Sequence, residues 1–163
     1  MDITDRVQRL EDIEEIKCVI AAYAKAVDHN GDPKMLTPVF SEKGSWNCNG
    51  IGGWTGRDAV VQGLREVCTV GIPWALHYMT QPVINVEDNG RTAQGEYYLW
   101  ELGKVLDEEN GGTKDTWIGG WYETSFEKGD DNIWRVNHME LNLKINSPAH
   151  TDDWETVIKP WSG

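Results

Sequence analysis

The strongest constraint on this chain lies in residues 3–30, ITDRVQRLEDIEEIKCVIAAYAKAVDHN. Apolar side chains recur there at Ile3, Val7, Leu10, Ile13, Ile16, Ile20, Tyr23 and Val27, three or four apart. That spacing is one stripe of an α-helix. Asp2 or Thr4 is placed to cap its start, and Asp5, Glu11, Asp12, Glu14 and Glu15 crowd the half where the helix dipole favours acids. Asn30-Gly31-Asp32-Pro33 stops it. A helix this long needs something to bury its stripe against. Two residues sit oddly on a plain packing helix: Tyr23 inside the stripe and Asp28 just past it. They suggest a helix that lids a cavity and delivers a phenol and a carboxylate into it.

The rest of the chain supplies the partner. Asp32-Pro33 opens a short second helix, with Met35, Leu36, Val39 and Phe40 apolar. Residues 44–50 begin as a short strand, and Gly50, Gly52, Gly53 and Gly56 mark turns around Trp54. Arg57 to about Val70 reads as a third helix, with Ala59, Val60, Leu64 and Val67 on its buried side. From there the period changes to two. Trp74–Glu87 is a predicted strand with Pro82 at a bulge, and Asp88-Asn89-Gly90 is a hairpin turn. Thr92–Leu106, Asp115–Glu127 and Ile133 to about Ile145 are three further strands. No repeat or linker interrupts them. The economical solution is one α+β domain over residues 1–146: a strongly curved, mixed or antiparallel sheet wrapped around the N-terminal helix, with two further helices. Its open end leaves a cavity. Residues 147–163 lack periodicity and are expected to pack on the domain or on a neighbouring subunit. A homodimer or homotrimer through the outer face of the sheet is expected.

The chain has 163 residues, enough for a full core, and a net charge of -12. That balance argues against a nucleic-acid surface or an acidic membrane, both of which need clustered Lys and Arg. Cys18, Cys48 and Cys68 show no metal spacing, and their odd number fits a reducing compartment. Met1 leads directly into the acidic helix without a signal-like segment, so a cytoplasmic protein is expected. Nine Trp against two Phe is unusual. Trp offers a broad apolar face and one N–H donor, which suits a pocket for a flat or cyclic ligand. About half should simply fill the core.

His77 lies in Trp74-Ala-Leu-His-Tyr-Met-Thr80 and shares a strand face with Ala75 and Met79. Both faces of that strand carry apolar residues, so its imidazole reads either as a general base in an enclosed space or as a core histidine bonded to a carbonyl. Asp28 by pattern alone reads as a solvated helix end, although the helix dipole disfavours an acid there, so its presence wants a partner. Glu101 follows Tyr97 and Leu99 on one face of the second long strand. It lies at the sheet rim or is buried for a purpose. His138, in phase with Trp134, Val136 and Glu140, is a weaker candidate, and His29 and His150 read as solvated. The segment Gly50-Ile-Gly-Gly-Trp-Thr-Gly56 lacks the Lys-Ser or Lys-Thr of a phosphate loop. Neither an HExxH motif nor a nucleophile elbow occurs. Acid–base chemistry without a cofactor or metal remains.

Residues Ile16–Asp28, Gly-Ile-Gly-Gly-Trp-Thr-Gly-Arg-Asp-Ala at 50–59, Ala75-Leu-His-Tyr78, Trp121-Tyr-Glu-Thr-Ser-Phe-Glu-Lys128 and Ile133-Trp-Arg-Val136 together resemble the SnoaL-like family. The resemblance spans roughly residues 5–146 and implies the cone-shaped α+β barrel of nuclear transport factor 2. It is most similar to the branch holding scytalone dehydratase, bile acid 7α-dehydratase and hexachlorocyclohexane dehydrochlorinase, which are cofactor-free lyases with an inward His–Asp pair. Carried onto this chain, the pair is His77 and Asp28. Tyr23 falls where the bile acid enzyme keeps a catalytic Tyr. Glu101 falls where that enzyme has Asp, a departure that leaves its role open, and the dehydrochlorinase has Lys in place of Tyr23.

The resemblance thus implies a lyase that eliminates water or another small fragment from a small hydrophobic, cyclic or aromatic hydroxylated substrate. His77 would take the proton, Asp28 would orient the imidazole, and Tyr23 would polarise a carbonyl or protonate the leaving oxygen. Glu101, Trp46, Trp54, Tyr97, Trp117, Trp121 and His138 are the expected substrate-binding residues. Two alternatives stand beside it: an isomerase or cyclase with Asp28 or Glu101 as base, and a non-catalytic small-molecule binding protein.

Overall fold

A computed structural model describes residues 2–149. Helix α1 spans Ile3–Asp28. Asp2 accepts from the Asp5 amide at 2.9 Å while Asp5 accepts from the Asp2 amide at 3.0 Å, a reciprocal capping box. Its 26 residues are about 39 Å long at 1.5 Å per residue. That length exceeds what the sheet covers. Ile16, Ile20, Tyr23, Ala26 and Val27 are buried, but Ile3, Val7 and Leu10 are 68%, 47% and 63% exposed. The predicted stripe is therefore a core contact only from its middle onward.

Asn30 and Gly31 turn the chain through left-handed backbone, with φ of 59° and 61°. A Cβ on Gly31 would lie 2.8 Å from the Arg65 Cα, so glycine also lets the two backbones meet. A one-turn helix α2, Pro33–Leu36, follows. Strand β1 runs Phe40–Cys48 and β2 runs Gly52–Thr55. Both depart from expectation. Phe40 opens a strand rather than closing a helix, and the residues around Trp54 pair with β1 rather than forming turns alone. Helix α3, Arg57–Glu66, passes into a π-helical turn at Val67–Gly71.

The long strands are β3 (Trp74–Val86), β4 (Thr92–Leu106), β5 (Thr113–Lys128) and β6 (Trp134–Pro148). Strand β6 continues into residues assigned by sequence to the tail. His150, Trp154, Trp161 and the remainder of that tail lie outside the described residues. The predicted bulge at Pro82 is present: the β3–β4 register shifts between Thr80 and Val83, with Gln81 at φ 54°.

Sheet order is β2-β1-β6-β5-β4-β3, with β1 and β6 parallel and every other pair antiparallel. The sheet is mixed and curved around α1, which packs on both β3 and β6. It is not a closed barrel, since β2 and β3 remain as edges. The core lies between α1, α3 and the concave face, with Phe40, Tyr97, Tyr122, Phe126, Trp134 and Met139 among its largest members. No helix among the described residues is long and apolar enough to cross a membrane.

Candidate active site

At the C-terminal end of α1, Asp28 meets β3. Its carboxylate accepts the His77 backbone N–H at 3.0 Å, and its Oδ1 lies 2.7 Å from His77 Nδ1. The partner that a carboxylate at this helix end wants is thus a strand amide and an imidazole. Both side chains are sheltered, at 9% exposure for His77 and 18% for Asp28. With Asp28 ionised, Nδ1 carries a proton and the lone pair of a neutral imidazole sits on Nε2.

Nε2 does not face empty space. His77 and Glu101 are directly opposite in the β3–β4 register, and Glu101 Oε2 approaches Nε2 at 3.2 Å. Glu101 is 4% exposed, and its Oε1 has no hydrogen-bond partner. Burial pushes its carboxyl above the ordinary value, His77 pulls it back, and the charge of Asp28 adds to the rise. One imidazole therefore bridges two carboxylates that differ in kind. Asp28 is held by two donors, whereas Glu101 is enclosed and half satisfied.

His77 and Glu101 line an inner chamber, Glu101 continues into an adjoining outer one, and Asp28 stands behind His77 and lines neither. The inner one, of about 40 Å³, is lined by Tyr23, Trp46, Cys68, His77, Glu101 and Tyr122 with apolar neighbours. It has room for a few waters or one substituent, not a ring. The outer one, of about 240 Å³, shares Ile51, Val67, Ile72, Glu101 and Leu141 with the first. Tyr23, Trp46 and Tyr122 are in the wall of the inner chamber, whereas the outer one is lined by aliphatic side chains, two glycines, Glu101 and Asn146, with no aromatic residue among them. A larger depression of about 420 Å³ lies at the other end of α1, lined by Asp5, Gln8, Arg9, Asp12 and the hairpin at 86–90. It is an open groove remote from His77, so chemistry decides against it.

Tyr23 is buried beside His77, at the inner chamber. Its hydroxyl accepts from Trp46 Nε1 at 2.9 Å and lies 3.4 Å from the Tyr122 hydroxyl. Burial drives this phenol far above its usual range. Tyr23 is therefore suited to donate a hydrogen bond while staying neutral, more than to release a proton. Tyr122 was not picked out by sequence reasoning, although it lies in the inward phase of β5 with Ile118, Thr124 and Phe126. The Cys68 thiol also lines the chamber. Burial, with Glu101 and Asp28 nearby, pushes it up to about 12, so it is a neutral apolar wall rather than a nucleophile.

The other expected binding residues divide. Trp46 lines the inner chamber, and Trp54 stacks behind it with centroids 5.5 Å apart. Gly63 makes that possible, because a Cβ there would sit 2.2 Å from the Trp54 ring. Tyr97 is one layer back, stacked on Tyr122 and bonded to Thr124 at 2.9 Å. Trp117, Trp121 and His138 are corrections. Trp117 lies on the outer face against Trp100 at 5.9 Å, and Trp121 is there too, beneath Lys144 Nζ at 4.8 Å. Both occupy the phase of β5 opposite Ile118 and Tyr122. His138 also points outward, 2.8 Å from Ser45 Oγ and 3.6 Å from Glu140 Oε2. A bulge at Asn137 inverts the alternation between Val136 and His138, which removes the phase relation with Trp134. His29 is exposed and bonds the Lys25 carbonyl at 2.7 Å, closing α1. Among the described residues, no three His, Cys, Asp or Glu side chains are grouped to hold a metal ion.

The family model of the SnoaL-like domain matches residues 8–140. The chain belongs to the SnoaL-like family. Solved structures agree at the level of fold. The hexachlorocyclohexane dehydrochlorinase LinA-type3 from Novosphingobium barchaimii superposes with a TM-score of 0.77 at 17% identity, covering 88% of this chain and 93% of that one. A scytalone dehydratase-like protein from Novosphingobium aromaticivorans gives 0.74 at 21% identity, over 97% of both chains. A nuclear transport factor 2-like protein from Salmonella enterica gives 0.69 at 20% identity, covering 90% of this chain and 98% of that one. No functionally curated protein is a sequence match. This SnoaL-like chain thus has the α+β fold of nuclear transport factor 2, with its His77 cluster where the C-terminal end of α1 meets β3 and β4.

Proposed function

We propose that this protein is a cofactor-independent lyase that removes water, or another small leaving group, from a small hydrophobic cyclic or aromatic substrate bearing a hydroxyl. The reading is carried by one observation: Asp28 lies 2.7 Å from His77 Nδ1, which leaves Nε2 as the basic nitrogen of an imidazole that lines the inner chamber. β-Elimination needs a base for a C–H proton and an acid for the departing oxygen. Asp28 fixes the tautomer of His77 and stabilises the imidazolium once the proton is taken. The neutral Tyr23 hydroxyl suits a carbonyl whose oxygen gains charge as the C–H bond breaks. The aliphatic wall of the outer chamber, about 240 Å³ in volume, suits a small apolar ring. The dehydrochlorinase and dehydratase names among the fold neighbours agree with this class of reaction.

Hydroxytetralone, a β-hydroxy ketone fused to a benzene ring, is a direct probe, because its dehydration gives a fluorescent naphthol. Wild type should release one water from it by mass spectrometry, and His77→Ala should slow turnover by about 10²- to 10⁴-fold. Full activity in a folded His77→Ala protein would end the assignment. A product of unchanged mass would favour isomerisation, for which the half-satisfied Glu101 carboxyl beside Tyr23 is the specific structural argument.

A further inference from the structure

The geometry points to Glu101 as the general acid of the elimination, holding the proton that the leaving oxygen receives and regaining it from His77. This inference rests on the lyase reading above and assigns a job that an oriented His–Asp pair leaves unfilled. Three observations carry it. Glu101 Oε2 touches the atom of His77 that would act as base, at 3.2 Å. Its Oε1 is buried and has no partner, which for a carboxyl calls for a ligand group. Glu101 is also a wall of both chambers, so a ring in the outer one presents its substituents to this carboxyl.

The proton count closes. At rest Asp28 is a carboxylate, His77 is neutral with its proton on Nδ1, and Glu101 is a carboxylic acid. In the reaction His77 Nε2 takes the C–H proton, and that electron pair forms the C=C bond. The C–O pair departs on oxygen, which takes the Glu101 proton and leaves as water. The protein is left with an imidazolium and a Glu101 carboxylate in contact. Transfer of one proton from Nε2 to Oε2 restores the resting state. Tyr23 has no place in that exchange and stays a hydrogen-bond donor.

Burial is the main influence that favours a neutral Glu101; His77 on β3 works against it, and the smaller effect of the Asp28 charge on α1 works for it. Tyr23, Tyr122, Cys48 and Cys68 are neutral neighbours whose own ionisation burial suppresses. No Lys or Arg stands among the residues lining either chamber.

The test pairs two probes with one spectroscopic measurement. On hydroxytetralone, Glu101→Gln should lose about 10²- to 10⁴-fold in kcat, the usual worth of a positioned acid. On the chloro analogue, whose chloride leaves without a proton, the same variant should stay within about threefold of wild type, whereas His77→Gln should fall on both. Equal losses on both probes, or none on either, would overturn the inference. Carboxyl ¹³C NMR of glutamate-labelled wild type should find Glu101 protonated at neutral pH, and an ionised Glu101 there would overturn the inference without any substrate. Should wild type turn over neither probe, the lyase reading fails, and the carboxyl shift alone still decides whether Glu101 carries the proton.

Discussion

Asp12 and Glu101 sit toward opposite ends of the fold and are almost equally buried, at 2% and 4% exposure. Asp12, however, lines the open groove at its end of α1 while Glu101 is enclosed, so desolvation weighs more heavily on Glu101. Their partners widen the difference. Asp12 Oδ1 receives Lys128 Nζ at 2.7 Å, Trp134 Nε1 at 3.0 Å and Gln8 Nε2 at 3.4 Å. Burial pushes Asp12 up, but the bonds from Lys128 and Trp134 outweigh it, so the group falls below the usual range. Glu101 has one contact, to a group already engaged by Asp28, and ends above its ordinary value. One carboxylate fastens α1 to β5 and β6. The other is kept underbonded where a ligand would enter. On the role proposed for Glu101, stability and reactivity would be assigned to the two ends of α1, as expected where a site holds groups the folded chain does not satisfy.

The largest effect should come from the satisfied end. Asp12→Ala removes the shared acceptor of the Lys128 ammonium and the buried Trp134 N–H beside an open groove, and losing these charge-assisted bonds should cost about 2–3 kcal/mol. Urea unfolding measures it, and a change below about 1 kcal/mol would mean that Lys128 escapes to water at little cost. The sign with pH is fixed. Asp12 has a depressed folded value, so its contribution is full above the unfolded value near pH 4 and is lost as pH falls through the lower folded one. The gap between wild type and Asp12→Ala should narrow only in acid.

Glu101→Gln should do the reverse, with a smaller size. A carboxyl whose folded value is raised holds its proton longer in the folded state than in the unfolded chain, so its effect is absent in acid. Wild-type stability then declines as pH rises from about 4.3 toward the folded value. Glutamine removes that penalty. A gain of about 1 kcal/mol near neutral pH, vanishing in acid, is expected from thermal melts. A variant less stable at every pH would show Glu101 to be a structural partner of His77, and the contrast with Asp12 would collapse.

The two ends also differ in how much the sequence disclosed. Helix α1, the period-two strands and the bulge at Pro82 follow from local spacing and turn chemistry. Asp28 could be marked as wanting a partner, because a helix C-terminus disfavours an acid. That its partner is His77 came through the family resemblance, since register between α1 and β3 is not written in either segment. Asp12 was invisible among Asp5, Glu11, Glu14 and Glu15, as only packing separates a buried acid from a solvated one. Trp117 and Trp121 were legible in principle from their shared phase, opposite Ile118 and Tyr122. His138 was not, because the extra residue at Asn137 reverses alternation and a bulge leaves little trace in the sequence.

The smallest effect belongs to His138. Its ring lies on the outer face, on the far side of the sheet from Glu101, and its contacts are Ser45 and Glu140, with the side chain 47% exposed. His138→Ala should leave turnover of hydroxytetralone within about twofold of wild type and stability within about 0.5 kcal/mol, as for surface changes away from special features. Steady-state rates and a melt suffice to check both. A tenfold or greater fall in kcat with KM unchanged would mean that β6 transmits its outer face to the chamber through Met139 and Leu141. Catalysis would then depend on a surface assigned here to neither buried carboxylate. The division of labour between the Asp12 end and the Glu101 end would have to be redrawn across the sheet rather than along the helix.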